Sequence, residues 1–209
     1  MSATVYIVDD DISVCRALSI LLETHNFKVK TFTCARDFLA AKHPKTLSCL
    51  VLDVSLPDID GITLQKDMTE QELNTPIVFI TGHGDIPMSV KAMKGGAVDF
   101  LTKPFTDTEL LEAIDRATSK HKLQNKDADE ISSIKRRMDT LSPRELEVFK
   151  FVAKGMLSKQ IAYKRGVSLQ TIKVHRGRVM KKMQAKTVTE LIHFAQKAGV
   201  NSPKKVKNL

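Results

Sequence analysis

Three short apolar segments of this chain each run into charged residues. The first ends at Asp9 and Asp10, the second ends at Asp53, and the third leads into Lys103. Segments of this length that are almost entirely apolar fit parallel strands covered on both faces. Because the carboxyl ends of parallel strands meet at one edge of a sheet, the pattern predicts that these charges lie together there. Three carboxylates and a lysine form a site suited to a divalent cation and a phosphoryl group.

Strand-like and helix-like segments alternate through the front half of the chain. Thr106 and Glu109 predict a capping box that opens its last helix. Strict alternation predicts an α/β fold, a doubly wound five-stranded parallel sheet that binds ligands outside the carboxyl ends of its strands. The predicted strands are Thr4–Val8, Lys28–Phe32, Leu50–Asp53, Ile77–Thr81 and Asp99–Leu101.

Length and charge divide the chain into two parts. A length of 209 residues favours two domains. Residues 1–125 carry 13 Lys+Arg and 17 Asp+Glu, whereas residues 126–209 carry 20 and 7. The strongly basic rear part therefore predicts a polyanionic partner for that part alone.

Other classes of protein fit the composition poorly. No apolar run approaches the ~18 residues that span a bilayer, and the start of the chain lacks the pattern of a secretory signal. We therefore expect a cytoplasmic protein without a membrane partner. Cys15, Cys34 and Cys49 lack metal-ligand spacing, which predicts reduced cysteines rather than a zinc site or a disulfide.

The rear half reads as four helices. Ser142, Pro143 and Glu145 predict a capped start for the first helix. A short helix over residues 158–165 ends at Gly166, a third runs from about Ser168 to Met183, and a fourth extends from Thr187 to about Gly199. Two helices joined by a tight turn at a glycine indicate a helix-turn-helix within an all-α four-helix domain.

The front half resembles the receiver domain of two-component response regulators over residues 1–122. The residues that carry this resemblance are Asp9, Asp10, Asp53, Thr81, Lys103 and Pro104. The resemblance implies that Asp53 is the phosphorylated nucleophile, that Lys103 pairs first with the acids and then with the phosphoryl oxygens, and that Thr81 and Phe100 form the switch. It also implies a cis peptide before Pro104. We interpret Asp11 as a helix N-cap rather than a metal ligand.

The implied cofactor is Mg²⁺, because neighbouring carboxylates repel one another strongly without a cation. By the same resemblance, Asp10 and Asp53 bind the metal directly, Asp9 acts through water, and the backbone carbonyl of Ser55 supplies another oxygen.

The rear half resembles the LuxR-type helix-turn-helix, through the stretches LSPRELEVFKFVAKG, SKQIA and TIKVHRGRVMKKM. The order of the two domains is that of FixJ/NarL regulators, and the details are most similar to the FixJ branch. On a helical wheel, Ile172, Val179 and Met183 face the core, and a basic face lies opposite. Arg176 projects toward the core side, where it either snorkels or pairs with an acid such as Glu190.

That basic face predicts contacts with the major groove of DNA. Side chains at the groove are predicted to be Lys173, Val174 and Arg178. Phosphate contacts are predicted for Lys159, Lys181 and Lys182, while Thr171 suits either kind of contact.

The predicted layout is a receiver over residues 1–122, a helical linker over 123–139, the DNA-binding domain over 140–200 and a disordered basic tail over 201–209. The hypothesis is a bacterial transcription regulator, not an enzyme, which is phosphorylated by a sensor histidine kinase. It dimerises or opens, binds promoter half-sites and works with RNA polymerase.

Two alternatives remain open at this stage. One is a phosphatase of the haloacid-dehalogenase type, although that class needs a second acid where this chain has Ser55. The other is a constitutive DNA-binding protein whose receiver serves only as a dimer module.

Overall fold

The computed structural model describes residues 3–44, 46–82 and 85–200. The predicted disordered tail, residues 201–209, lies outside the described residues. The chain forms two compact units, Met1–Asn125 and Lys126–Leu209, each with its own apolar core. No helix within the described ranges is long and apolar enough to cross a bilayer.

The front unit contains one parallel sheet of five strands, in the order β2-β1-β3-β4-β5. The predicted fold class is confirmed. Because the strand order reverses direction beside β1, a crevice opens there at the carboxyl ends of β1 and β3. The strands are β1 Thr4–Val8, β2 Lys28–Phe32, β3 Ser48–Asp53, β4 Ile77–Thr81 and β5 Asp99–Thr102.

Helices cover both faces of this sheet. Val5 and Ile7 of β1 face a core shared with α1 and α5, whereas Tyr6 and Val8 face a core shared with α2 and α3. This alternation explains why the strands are apolar at nearly every position. The helices are α1 Ile12–Thr24, α2 Ala35–Ala40, α3 Gly61–Glu70, α4 Ile86–Lys94 and α5 Asp107–Asp139.

Two acidic side chains cap helices at the carboxyl edge of the sheet. The side chain of Asp11 accepts hydrogen bonds from the backbone N–H groups of Ser13 and Val14, which confirms it as the N-cap of α1. The side chain of Thr106 and that of Glu109 bond reciprocally to each other's backbone N–H groups, so the predicted capping box is present. These caps satisfy N–H groups that helix starts leave unpaired, and they fix where the loops turn.

The helix α2 is capped from a distant part of the chain. Its N-cap residue, Cys34, makes no side-chain capping bond. The carboxylate of Asp58, in the loop after β3, instead accepts hydrogen bonds from the N–H groups of Ala35 and Arg36, at 3.1 and 3.0 Å. These two hydrogen bonds tie the loop that follows Asp53 to the start of α2.

The strand β3 begins at Ser48 rather than at Leu50, where the apolar pattern begins. Ser48 pairs with Thr4 in the sheet, and its backbone N–H donates to Nδ1 of the buried His121 of α5 at 3.0 Å. A polar residue is accommodated inside the sheet because a side chain 73 positions away supplies its partner.

Residues 140–200 of the rear unit form four helices in the predicted order, α6 Pro143–Ala153, α7 Ser158–Arg165, α8 Leu169–Met183 and α9 Val188–Lys197. The capping box of Ser142 and Glu145 is confirmed at the start of α6. Gly166 ends α7 with a φ of 61°, in the left-handed region that residues other than glycine rarely adopt. This turn sets the angle between α7 and α8 that defines a helix-turn-helix.

The last turns of α5 belong to the core of the rear unit. Ile134 is fully buried there. The guanidinium group of Arg137 donates to the backbone carbonyl of Met183 at 2.7 Å and lies 4.7 Å from the ring centre of Phe194. Arg137 therefore satisfies a carbonyl at the end of α8 that the helix itself leaves unpaired.

We expect Ile134→Ala to lower the free energy of unfolding of the rear unit by about 2–5 kcal/mol, because it removes a buried side chain and leaves a cavity. The matched control is Lys135→Ala, on the same helix but exposed, which should change stability by less than about 0.5 kcal/mol. Hydrogen exchange of peptides from residues 140–200 measures both. Equal protection in the two variants would contradict the assignment of this segment to the rear core.

Candidate functional site

Three carboxylates meet at the carboxyl edge of the sheet. Asp9 follows β1 and Asp53 ends β3, and the two strands are paired neighbours through Val8 and Leu52. One carboxylate oxygen from each of Asp9, Asp10 and Asp53 lies within 4.8 Å of the others. Asp9 is fully buried and Asp53 is 7% exposed, whereas Asp10 faces solvent. The sheet topology thus brings together the acids that the sequence pattern predicted to meet.

Lys103 reaches the same cluster from the loop after β5. Its Nζ lies 2.7 Å from Oδ2 of Asp9 and 3.3 Å from Oδ2 of Asp53. The peptide between Lys103 and Pro104 is cis, as predicted. The backbone N–H of Lys103 donates to the carbonyl of Thr81 at 2.7 Å, which ties this loop to the end of β4.

Burial and charge shift the proton equilibria of this cluster. Burial raises the pKa of the Asp53 carboxyl, and the charge of Asp9 adds to the effect, which outweighs the lowering by Lys103 and by the N–H of Ser55. Burial lowers the pKa of Lys103, but its hydrogen bond to Asp9 and the charges of both acids raise it overall. Lys103 therefore stays protonated at neutral pH and holds the acids together.

The donor set fits Mg²⁺. Carboxylate oxygens are the ligands that this hard cation prefers, and Asp10 offers its oxygens from the solvent side. One ammonium group cannot neutralise three carboxylates, so a divalent cation would relieve the remaining repulsion. The N–H of Ser55 donates to Oδ1 of Asp53 at 3.3 Å. The role of its carbonyl as a metal ligand remains a prediction.

Gly61 is a residue of this site that the sequence reasoning missed. A Cβ placed on Gly61 would lie 2.6 Å from the backbone oxygen of Asp53 and 3.1 Å from the Phe79 ring. Only glycine lets the start of α3 come this close to the end of β3. The local signal was Asp60, which caps α3 through the N–H groups of Ile62 and Thr63.

The predicted switch residues lie on adjacent strands. Thr81 is fully buried at the end of β4, one position beyond Ile80, the register partner of Asp53. Phe100 of β5 is partly buried and packs on Phe79, with the ring centres 6.3 Å apart. This placement puts Thr81 one position beyond the strand partner of Asp53 and an aromatic ring on the next strand. Their switching role remains a prediction.

The helix α8 separates a core face from an exposed face as the helical wheel predicts. Ile172, Val179 and Met183 are buried in the rear core. The other side holds exposed residues predicted to contact DNA, namely Thr171, Lys173, Val174, Arg178 and Lys181. Lys159 of α7 is also exposed.

The structure gives Lys182 a different role from the predicted phosphate contact. Its Nζ lies 2.6 Å from a carboxylate oxygen of Glu145 and 3.0 Å from the carbonyl of Thr140. The hydrogen bond from Lys182, together with that from the N–H of Ser142, lowers the pKa of Glu145 to about 2. Its ammonium group is engaged in holding the start of α6, which disfavours the predicted phosphate contact; the DNA contacts themselves remain predictions. No local pattern in the sequence indicates this long-range pair.

Arg176 does not pair with Glu190. Its guanidinium group donates to the hydroxyl of Ser158, the first residue of α7, at 3.1 Å. The carboxylate of Glu190 instead accepts from the backbone N–H of Lys186 at 2.7 Å. Arg176 therefore links the two helices of the helix-turn-helix.

Comparison with known proteins agrees with both halves of this description. Residues 5–115 match the family model of the response regulator receiver domain, and residues 139–195 match that of the bacterial regulatory proteins of the luxR family. The chain belongs to the response regulator family. It is a response regulator with a receiver domain and a LuxR-type DNA-binding domain, and this assignment disfavours the haloacid-dehalogenase alternative.

Several similar proteins align with most of this chain and with most of their own length. Nodulation protein W of Bradyrhizobium diazoefficiens is 44% identical over 96% of this chain and 88% of its own. The transcriptional regulatory protein FixJ of Rhizobium meliloti is 42% identical over 94% of this chain and 96% of its own. Among solved structures, the response regulator StyR is 40% identical with a TM-score of 0.82, and it covers 94% of this chain and 100% of its own.

We expect Asp53→Asn to raise the free energy of unfolding of the receiver by about 0.5–2 kcal/mol at neutral pH without Mg²⁺, because a buried charge is removed. A pKa raised by folding means that ionised Asp53 opposes folding, and that this penalty vanishes as the pH falls through that pKa. The advantage of the Asn variant should therefore shrink in acid, as calorimetry at several pH values would measure. The exposed Asp37→Asn is the matched control, and an Asn variant less stable than the parent would contradict the interpretation.

Lys181 and Lys182 are adjacent, but we expect replacement of Lys182 to lower stability and replacement of Lys181 to weaken DNA binding. Lys182→Met should lower the free energy of unfolding of the rear unit by about 1.5–3 kcal/mol at neutral pH, since Glu145 loses a charged hydrogen bond. The pKa of Glu145 is lowered by folding, so this contribution is present above the ordinary glutamate pKa and is lost as the pH falls through about 2.

Lys181→Met should instead leave stability unchanged. It should make the negative slope of log affinity for DNA against log salt concentration shallower by about 1. Urea unfolding and DNA titrations at several salt concentrations separate the two effects. A reduced salt slope in Lys182→Met would restore Lys182 to the phosphate contacts.

Proposed function

We propose that Asp53 accepts a phosphoryl group from the phosphohistidine of a sensor histidine kinase, and that this modification controls binding to promoter DNA. The observation that carries the proposal is the position of Lys103, whose ammonium group bridges Asp9 and Asp53 at 2.7 and 3.3 Å. An ammonium so placed can stabilise the oxygens of a phosphoryl group on Asp53.

Each residue of the cluster has its own part in this transfer. Asp53 presents a carboxylate oxygen that forms the new bond to phosphorus as the bond between phosphorus and the imidazole nitrogen breaks. Asp10, Asp53 and the Ser55 carbonyl would hold Mg²⁺ directly, and Asp9 would act through water. Bound Mg²⁺ would supply neutralisation of the charge on the phosphate. Lys103 balances charge on the opposite side. The protein catalyses only its own phosphoryl transfer and hydrolysis.

The new charge on Asp53 acts through Thr81 and Phe100. The hydroxyl of Thr81 moves onto a phosphoryl oxygen, and the ring of Phe100 changes its rotamer to fill the space. The surface near α4 and β5 then pairs with a second receiver or releases the DNA-binding domain. A dimer places two copies of α8 on half-sites about one helical turn apart.

The expected DNA contacts follow from the exposed face of α8 and from α7. Lys173, Val174 and Arg178 reach the groove, Lys159 and Lys181 bind phosphates, and Thr171 serves either. Because its ligand is promoter DNA, we place the protein in the cytoplasm, where it works with RNA polymerase.

Beryllofluoride, a phosphate mimic, tests the proposal. With Mg²⁺ it should raise the affinity of the full chain for promoter DNA by about 5- to 150-fold, the usual range of coupling between two sites. Asp53→Asn should show no gain, whereas the exposed control Asp37→Asn should respond like the parent. Fluorescence anisotropy with labelled DNA measures the affinities.

Mass spectrometry after treatment with acetyl phosphate gives a second test. We expect a gain of about 80 daltons, the mass of one phosphoryl group, on the peptide that contains Asp53. Phosphorylation without any change in DNA affinity would favour a constitutive DNA-binding protein, and the lack of an adduct would refute the phosphorylation site itself.

A further inference from the structure

The loop over residues 54–60 joins β3 to α3 and carries Ser55, whose carbonyl is a predicted metal ligand. Its two ends are held close together. The N–H of Gly61 donates to the carbonyl of Val54 at 2.9 Å, and the side chain of Asp60 caps the start of α3. These contacts fix where the loop begins and ends, and the course of its middle depends on other contacts.

The middle of the loop is held in two ways. Leu56 and Ile59 are partly buried against the core on the side of α2 and α3. The carboxylate of Asp58 reaches α2, where Oδ1 accepts from the N–H of Ala35 at 3.1 Å and Oδ2 from the N–H of Arg36 at 3.0 Å. We call this pair of hydrogen bonds the Asp58 tether. Because each carboxylate oxygen takes one N–H, the tether fixes the direction of the side chain as well as its position.

The Asp58 tether is made by a charged group. Burial raises the pKa of the Asp58 carboxyl, but the hydrogen bonds from the N–H groups of Arg36 and Ala35 outweigh it and lower the pKa overall. Asp58 is therefore ionised at neutral pH. Hydrogen bonds to an ionised acceptor are roughly twice as strong as those between neutral groups.

The helix α2 depends on the tether for its cap. Cys34 has the extended backbone of an N-cap residue, with φ −150° and ψ 157°, but its side chain makes no capping bond. The helix has six residues, far fewer than an isolated helix needs to form in water. A carboxylate from another loop thus satisfies N–H groups that the start of α2 leaves unpaired. The order of the first turn of α2 and the placement of the loop are linked as a result.

We propose that Asp58 is a positioning residue for the metal site, which holds the loop on α2 so that the carbonyl of Ser55 can face Mg²⁺. The inference rests on the proposed function, because Ser55 is an expected ligand there. A backbone carbonyl cannot turn without its chain, so the course of the loop decides where this oxygen points. Residues that orient metal ligands without touching the metal typically change metal affinity by about 10- to 100-fold.

This coupling acts in both directions. If the Asp58 tether favours the binding of Mg²⁺, bound Mg²⁺ favours the tether by the same factor. Mg²⁺ should therefore stabilise the first turn of α2, although no predicted metal ligand lies on that helix. The route differs from the predicted one through Thr81 and Phe100, which lie on β4 and β5.

Asp58→Ala in the full chain tests the proposal. We expect its affinity for Mg²⁺ to fall by about 10-fold, as measured by amide chemical shifts while MgCl₂ is added. In the unaltered protein, saturating Mg²⁺ should slow hydrogen exchange of the Ala35 and Arg36 amides by about the same factor, because exchange requires the tether to open. An effect of Mg²⁺ on these amides is not expected from a helix cap that has no part in the metal site.

Asp85→Ala is the matched control. The side chain of Asp85 caps α4 through the N–H of Met88, at the same edge of the sheet but in a loop without an expected metal ligand. Its replacement removes one capping carboxylate and one negative charge, as Asp58→Ala does. The affinity for Mg²⁺ should stay within about twofold of the parent. A loss equal to that of Asp58→Ala would mean that charge at this edge sets the affinity, and would overturn the role of the tether.

A second substitution separates the tether from helix capping. When Cys34→Ser is added to Asp58→Ala, the new hydroxyl can cap α2 locally. The melting temperature should then recover most of what Asp58→Ala lost, while the affinity for Mg²⁺ stays low because the loop remains untethered. Recovery of both together would make Asp58 a helix cap alone.

Other results separate failure of the tether from failure of the proposed function. Unchanged affinity for Mg²⁺ in Asp58→Ala would overturn the positioning role and leave the metal site standing. If the unaltered protein binds no Mg²⁺ at the acidic cluster, the proposed function fails at its metal site, and the positioning role fails with it.

Discussion

The ammonium group of Lys103, held between Asp9 and Asp53, is the interaction on which the receiver depends. It joins the ends of β1 and β3 to the loop after β5, across the carboxyl edge of the sheet. Carboxylates this close together repel one another, and burial strengthens the repulsion. A fixed cation makes the arrangement tolerable while leaving Asp10 open to solvent. The cluster is thereby stable but still carries negative charge, which favours the binding of a divalent cation.

Sequence patterns correctly predicted the structural features that depend on residues close together in the chain. A few adjacent residues determine the carboxyl ends of β1, β3 and β4, the N-cap at Asp11 and the capping box at Ser142, and these predictions are confirmed. The strand β5 ends at Thr102, one residue beyond the prediction. The family resemblance then supplied roles for the acidic cluster. The exposed face of α8 followed from helical periodicity alone.

What the sequence did not predict depends on residues far apart in the chain. At the start of β3, Ser48 is bonded to His121, 73 positions away, and the pairing of Lys182 with Glu145 joins residues 37 positions apart. The burial of Ile134 also depends on distant residues, because the polar stretch around it, with its mixed charges, does not indicate that one face of the helix enters a core. A local pattern carries no information about which distant surface will cover a side chain.

The close approach at Gly61 has a consequence for how the family can vary. A methyl group at this position would press on the backbone oxygen of Asp53. Any larger side chain must therefore move either α3 or Asp53 itself. Within the loop from Asp53 to Gly61, Asp58 and Asp60 are also constrained because each caps a helix. Divergent relatives should accordingly agree at the glycine and differ at loop positions that cap no helix and are not expected to bind the metal.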